Sequence, residues 1–309
     1  MKPTGFPAWV NGEWFAPGAP AIPADDQGLQ LGLSVFDSLL WEDGQFHFGE
    51  LHMERLSEGA AELGIHFGHG AATLSGALHP AAALNAYMQH LQADGWIEPL
   101  MLKITLTRGR PGGVPSVIVT ARVPEQLDPR GVDVALAEVR KAAGDPHEQI
   151  KSTNRMRNVL ALESARAAGA WEALFATTDG HLSEGTMTNL FLVLGTGDQA
   201  RYVTPALEHG CLSGVTRRVL IRELAAKGYA VEEGAVSLDD LARASEAFLT
   251  NTSQRVIPIR AIWRADGTIF PTKPLAERPF TRIARGLVAA AEALEAAQRQ
   301  GLSTCPTEG

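Results

Sequence analysis

A lysine and a glutamate about thirty positions apart are the side chains in this sequence best suited to covalent chemistry. Lys151 opens the run Lys151-Ser152-Thr153-Asn154-Arg155-Met156-Arg157, at a predicted strand end just before a predicted helix. Glu184 lies in Ser183-Glu184-Gly185-Thr186-Met187-Thr188-Asn189, a glycine-containing turn between two apolar runs. An amine can hold an aldehyde as a Schiff base, and an anion can keep a pyridine nitrogen protonated. Pyridoxal phosphate chemistry needs both groups. Each also has a plainer reading when taken alone, since a lysine near a helix start is usually a solvated surface residue.

Other segments could serve an anionic ligand. Leu212-Ser213-Gly214-Val215-Thr216 ends a loop and opens a predicted helix to Lys227. Backbone N–H groups at a helix N-terminus, a glycine and a threonine hydroxyl together make a phosphate cradle, although Ser213 or Thr216 could equally be a simple cap. Thr250-Asn251-Thr252-Ser253 offers hydroxyls and amides at a strand end, or reads as a polar turn. Arg55 is a cation on the predicted helix Glu50–Leu63, or an exposed helix arginine. In Arg108-Gly109-Arg110-Pro111-Gly112-Gly113 two arginines flank a flexible turn, which suits a substrate carboxylate or a solvated hairpin tip. No metal is expected: in His66-Phe67-Gly68-His69 the glycine breaks a helical pair and no third ligand is adjacent. Neither a G-x-S-x-G elbow nor a Walker loop is present.

The elements that must position these groups alternate along the chain. Ala8–Phe15 reads as a hairpin, because Asn11-Gly12 suits a type I′ turn. Leu33–Leu40 reads as a strand turned back at Asp43-Gly44, and helices follow at Glu50–Leu63 and Ala81–Leu91. Pro99–Thr107 and Val114–Val123 are strands. Residues 123–130 contain two prolines and little apolar content, which suits a linker between an α+β domain at 1–122 and an α/β domain at 131–309. In the second domain Val132–Val139, Glu172–Thr177, Leu190–Leu194 and Glu246–Leu249 are predicted strands. Helices are predicted at Met156–Ala168, Thr216–Lys227 and Phe280–Arg299, and Gly301–Gly309 as a frayed tail.

The 309 residues, 45% apolar, are enough for two moderate domains with real cores. A net charge of -8 and no basic block argue against nucleic acid or an anionic membrane as partner. Cys211 and Cys305 have no zinc spacing and are too few for a disulfide scaffold. With no apolar leader after Met1 and no membrane-length run, a reducing cytoplasm is the expected compartment.

Seven short motifs in one order carry a resemblance. Asp26-Gln27-Gly28-Leu29-Gln30-Leu31-Gly32 with Phe36 resembles a D-x-G-x-x-x-G-x-x-x-F opening, and His52-Met53-Glu54-Arg55-Leu56 an H-x-x-R-L motif. Lys151-Ser152-Thr153-Asn154, Ser183-Glu184-Gly185 with Asn189-Leu190-Phe191, Thr204-Pro205 and Leu212–Arg217 follow. Phe248–Thr252 with Ile257-Pro258 completes the series. The set resembles the class IV aminotransferases, the fold type IV family of pyridoxal phosphate enzymes. That family includes branched-chain and D-amino-acid aminotransferases, (R)-selective amine transaminases and aminodeoxychorismate lyases.

By that resemblance Lys151 forms the Schiff base with the cofactor, and Glu184 pairs with its pyridine nitrogen. Arg55 holds the phosphate with Val215, Thr216 and Thr252, and Leu212 packs on a ring face. Phe36, Arg108, Arg110, Arg155 and Ser253 are the candidate substrate contacts. The resemblance further implies an α/β fold of two domains with the cofactor at their junction, and a homodimer. The expected reaction is ping-pong amino transfer between a small amino acid, branched-chain or otherwise apolar, and a 2-oxo acid. Asn154-Arg155 replaces the Asn-Tyr of many family members and resembles aminodeoxychorismate lyases, which eliminate pyruvate with the same lysine. No R-x-H of the kind seen in D-amino-acid aminotransferases occurs in the arginine loop.

Overall fold

The computed structural model describes residues 5–67, 73–263, 269–271 and 278–303. Two compact units emerge: residues 1–125 with 150–154, and residues 126–149 with 155–309. The first unit thus draws in a short segment from beyond the proline-rich linker, and Lys151 is part of it.

In the first unit the elements run β1 (Ala8–Val10), β2 (Glu13–Phe15), α1 (Gln27–Leu31), β3 (Ser34–Glu42), β4 (Gln45–Phe46) and α2 (Gly49–Glu62). A short parallel pair, β5 (His66–Phe67) and β6 (Thr73–Leu74), precedes α3 (Pro80–Ala93), β7 (Leu100–Thr107) and β8 (Ser116–Arg122). Six strands form one antiparallel sheet in the order β2-β1-β8-β7-β3-β4. The Asn11-Gly12 turn has φ of 51° and 98°, as a type I′ hairpin requires. Helix α2 buries His52, Arg55, Leu56, Gly59 and Ala60, a stripe spaced three and four apart that lies against β3. Leu39, Leu56, Tyr87, Leu102, Ile104 and Val119 belong to one core. Burying each such side chain contributes roughly 1.5–3 kcal/mol. Of the histidine run, Gly68 and His69 lie outside the described residues, as do Met1–Thr4.

Among the described residues the second unit has nine strands: β9 (Val132–Leu136), β10 (Glu172–Ala176), β11 (Leu182–Gly185), β12 (Asn189–Leu194), β13 (Arg201–Pro205), β14 (Ala230–Gly234), β15 (Glu246–Asn251), β16 (Arg255–Trp263) and β17 (Ile269–Pro271). Four helices accompany them: α4 (Met156–Ala167), α5 (Val215–Ala226), α6 (Leu238–Arg243) and α7 (Pro279–Ser303). The strand path is β11-β10-β9-β16-β15-β12-β13-β14, and a further pairing of β11 with β12 closes six of these strands into a ring. That closure rests on one residue pair, Glu184 opposite Asn189.

The unbroken apolar run of β12 has a simple cause. Leu190, Leu192 and Leu194 enter one core with Ala247 and Leu249. Phe191 and Val193 enter another, with Phe248, with Leu220 and Leu224 of α5, and with Ala284 and Val288 of α7. A strand covered on both faces shows no polar alternation. Helix α7 continues through Gly301–Ser303; the rest of the expected tail, 304–309, lies outside the described residues.

Candidate active site

In the first unit, backbone pairing fixes the lysine. Phe36 N–H donates to the Lys151 carbonyl at 2.9 Å, and Thr153 N–H to the Ser34 carbonyl at 3.1 Å, so the segment runs antiparallel beside β3. The Ser34 and Thr153 hydroxyls are hydrogen-bonded to each other. Asn154 donates from Nδ2 to the Gly32 carbonyl at 3.3 Å. Gly32 has φ of 68°, and a Cβ there would lie 2.0 Å from Asn154 Oδ1, so the second glycine of the opening motif makes room for the lysine segment. Asp26 caps α1 through Gly28 N–H and also accepts from the Thr107 and Ser116 hydroxyls. The Lys151 amine lies 4.9 Å from the centroid of the Phe36 ring, with Lys103 Nζ at 4.4 Å.

Arg55 is buried, and Asp37 holds its fork with both oxygens, from Nε at 2.9 Å and from a terminal nitrogen at 2.8 Å. His52 Nδ1 lies 2.8 Å from the same carboxylate. Burial alone would push the Asp37 carboxyl up; the Arg55 guanidinium and then His52 outweigh it and hold it well below the usual carboxylate range. His52 is pushed below its ordinary value by burial, helped by the charges of Arg55 and Lys151 and opposed by Asp37. Arg55 is therefore a cation whose plane is fixed by its neighbours. Arg108 and Arg110 are exposed and line an open cleft of about 620 Å³ with Gln27 and Ile65; Arg110 pairs with Asp25 at 2.7 Å.

In the second unit, Glu184 is buried with a donor on each oxygen. Lys141 Nζ donates to Oε1 at 2.7 Å; Leu212 N–H and Asn189 Nδ2 donate to Oε2 at 2.8 and 3.1 Å. Lys141 is itself buried, and its amine also reaches the Gly210 carbonyl at 2.6 Å and Glu148 at 3.0 Å. The turn after Glu184 is built around Glu172, a second buried carboxylate. It accepts from the Thr186 and Met187 N–H groups and from the Thr186 and Thr188 hydroxyls. Burial pushes the Glu172 carboxyl up, and those hydrogen bonds oppose the shift. A Cβ at Gly185 would lie 2.2 Å from Thr188 Oγ1 and 2.7 Å from Glu172 Oε2, so only glycine fits between them.

Helix α5 starts at Val215 with Gly214 as its cap residue and no side-chain cap hydrogen bond. A Cβ at Gly214 would lie 2.0 Å from Asn189 Oδ1. Thr216 is buried in the first turn, and Arg217 ties that turn to the Pro205 carbonyl at 2.9 Å and to Glu233 at 2.6 Å. Thr252 and Ser253 are half-buried in the turn after β15, which Asn251 braces by accepting from Gln254 N–H at 2.8 Å and Ser253 Oγ at 3.3 Å. The Arg155 guanidinium donates to the Thr186 carbonyl, and burial lowers its pKa against the pull of Glu184, Glu172 and Glu148. Cys211 donates to the Pro205 and Ala206 carbonyls, and burial pushes its thiol up to about 12.

Four residues here were given no role from sequence, although His52 stood in the H-x-x-R-L motif. Asp37 and His52 carried a signal, since His52 and Arg55 sit one helical turn apart with Asp37 on the neighbouring strand. Lys141 and Glu172 carried none, because their roles arise only when distant strands meet.

Among the described residues no helix is long and apolar enough to cross a membrane. The family profile described as amino-transferase class IV matches residues 34–262. A D-alanine aminotransferase of Bacillus licheniformis is 29% identical over 254 residues, covering 78% of this chain and 83% of that protein. An aminodeoxychorismate lyase of Vibrio harveyi is 28% identical over 285 residues, covering 87% and 97%. The solved branched-chain aminotransferase of Thermoproteus uzoniensis with norvaline superposes with a TM-score of 0.76 at 23% identity, over 93% of this chain and 96% of that one. With a profile match over well more than half its length, this chain belongs to the class IV aminotransferases, enzymes of fold type IV that use pyridoxal phosphate.

Proposed function

We propose that the chain is a transaminase, moving an amino group between a small α-amino acid, branched-chain or otherwise apolar, and a 2-oxo acid by a ping-pong route. The observation that carries this reading is the buried Glu184 carboxylate with fixed donors on both oxygens. A carboxylate has about four lone-pair positions, so three donors leave one for a pyridinium N–H. Two further observations fit the cofactor's phosphate: the uncapped start of α5, where a Cβ at Gly214 would clash, and the buried Thr250 Oγ1, which has no hydrogen-bond partner.

When bound, pyridoxal phosphate supplies an electron sink for negative charge at the substrate Cα. The remaining work falls to the chain. Lys151 Nζ removes the Cα proton and delivers it again, and the pairing of Lys151 and Thr153 with β3 limits how far that amine can stray. Arg55, with its plane set by Asp37, anchors phosphate together with Val215, Thr216 and Thr252. Leu212 presents its N–H to Glu184 and, in this reading, its side chain to the cofactor ring. Phe36, Arg108, Arg110, Arg155 and Ser253 are the proposed substrate contacts, with the exposed arginines of the cleft meeting the carboxylate. The reading carries a cytoplasmic homodimer with it, and sedimentation measures the oligomer directly.

A second reading, 4-amino-4-deoxychorismate lyase, is favoured by Asn154-Arg155 and by the similarity to the Vibrio harveyi enzyme across nearly its full length. One experiment separates them: single-turnover spectra with L- and D-amino acids, followed by addition of a 2-oxo acid. Loss of the cofactor's visible band with an amino acid, and its return with the 2-oxo acid, is the transaminase result. Lys151→Ala should slow the change at least about 100-fold. Pyruvate released from aminodeoxychorismate without any acceptor is the lyase result. If no visible band forms on adding pyridoxal phosphate, both readings fall.

A further inference from the structure

Away from these residues, two histidines and an aspartate from separate segments converge. Asp179 and His181 belong to the turn between β10 and β11, and His209 ends the single-turn helix Leu207–His209. One ligand atom from each of the three lies within 4.8 Å of those of the other two. Asp179 Oδ2 and His181 Nδ1 are 3.3 Å apart, close to the edge of a tetrahedron whose bonds are about 2.1 Å, the length of zinc bonds to nitrogen and oxygen. The two imidazole centroids are 4.9 Å apart at 54°, so the rings are tilted and not stacked. Both Nδ1 atoms are buried; that of His181 faces Asp179 Oδ2, and that of His209 has no hydrogen-bond partner. A buried ring nitrogen without a partner calls for an explanation, and a cation held between the three groups supplies one.

The scaffold holds the three residues before any ion arrives. Thr177 N–H donates to the His181 carbonyl at 2.7 Å, and Gly180, at φ of 91°, closes the turn on to the Thr177 carbonyl at 3.0 Å. The Thr177 hydroxyl holds the other Asp179 oxygen, and Arg140 donates to the Thr177 carbonyl at 3.1 Å. His209 N–H donates to the Ala206 carbonyl at 3.0 Å. The His181 side chain is 35% exposed and that of Asp179 44%, so water can complete the coordination. Two imidazoles, one carboxylate and a water make a set of borderline hardness that takes Zn²⁺.

We infer that Asp179, His181 and His209 form a binding site for a borderline divalent transition-metal ion, with Zn²⁺ as its test ion. The site is independent of the proposed reaction. It adjoins the Glu184 network along the chain: His181 immediately precedes β11 and lies three residues before Glu184, and His209 lies three before Leu212.

The test is zinc titration by calorimetry of untagged protein, loaded with pyridoxal phosphate and freed of metal by chelator. Metal retained after gel filtration is counted by mass spectrometry. The expected result is one tight equivalent per chain and a higher melting temperature with zinc. His209→Gln and Asp179→Asn should each weaken that equivalent at least about tenfold while leaving the metal-free melting temperature and far-ultraviolet spectrum unchanged. Should one variant misfold, the other and His181→Gln still read the affinity. Wild-type affinity and stoichiometry in folded variants would overturn the site, as would the absence of a micromolar equivalent in the parent protein.

Discussion

Each unit buries an ion pair among its own candidate site residues, and the two pairs have opposite polarity. In the first, the group proposed to meet the cofactor is the cation Arg55, and the carboxylate of Asp37 holds it in place. In the second, that group is the anion Glu184, and Lys141 is its counterion. The first pair is a bidentate fork, with His52 on the same carboxylate. The second is shared, because Lys141 also serves Glu148, which Arg157 pairs with in turn. Losing one partner of a bidentate fork removes two fixed hydrogen bonds at once, whereas a shared pair relaxes into its neighbours.

The comparison breaks most visibly at Asp37. Asp37→Ala removes the bidentate partner of a buried guanidinium and should cost about 3–5 kcal/mol, read as a lower denaturation midpoint at unchanged slope. The same substitution also changes the pH profile. His52 is held below its ordinary value, so as pH falls below about 6.5 the unfolded ring charges first and stability declines. Asp37 is also held low, so its contribution is complete above about pH 4 and fades below it. Asp37→Ala should flatten that lower step.

Lys141→Met comes next, at about 2–3 kcal/mol, because Glu184 keeps its Leu212 and Asn189 donors and Glu148 keeps Arg157. It should leave both acid steps in place and shift the cofactor's absorbance. A loss as large as that of Asp37→Ala would show that the shared network cushions nothing.

Two glycines give a finer contrast. At Gly32, alanine meets both a left-handed φ and Asn154, so Gly32→Ala should cost about 1–2 kcal/mol for the backbone plus the displaced Asn154 contact. At Gly214 the φ is an ordinary -65° and only the clash with Asn189 remains. Gly214→Ala should therefore destabilise less and show chiefly as weaker pyridoxal phosphate binding in a titration. Smallest in stability is Arg110→Ala, which breaks an exposed pair with Asp25 and should cost about 0–1 kcal/mol. Its expected effect is a raised KM for the amino acid at unchanged kcat.

These pairs also mark what the sequence made legible. Arg55 could be placed through the H-x-x-R-L motif on a predicted helix, and β12 through its apolar run. Strands β13 and β14 went unread: Arg201–Pro205 is short, and Ala230–Gly234 carries two glutamates on a mostly exposed edge. Lys141 follows Arg140 and precedes a glycine- and proline-bearing stretch, so nothing local distinguishes it from a loop lysine. Its burial depends on Gly210, Glu148 and Glu184, which only the closed ring of strands brings together. Spacing rules describe neighbours along one element, and this lysine has none there.

The return of residues 150–154 to the first unit bears on how the protein is made. A ribosome releases the chain in order, so β3 emerges more than a hundred residues before the segment that pairs with it. Every strand of the first sheet, and the Asp37–Arg55 pair, is encoded before residue 125, while the proposed nucleophile Lys151 is not. Closing so long a loop costs only slowly growing entropy, but it must wait for synthesis. The nascent first unit is thus complete in its sheet yet lacks the amine proposed to do the chemistry, and it acquires Lys151 only when the start of the second unit has already left the tunnel.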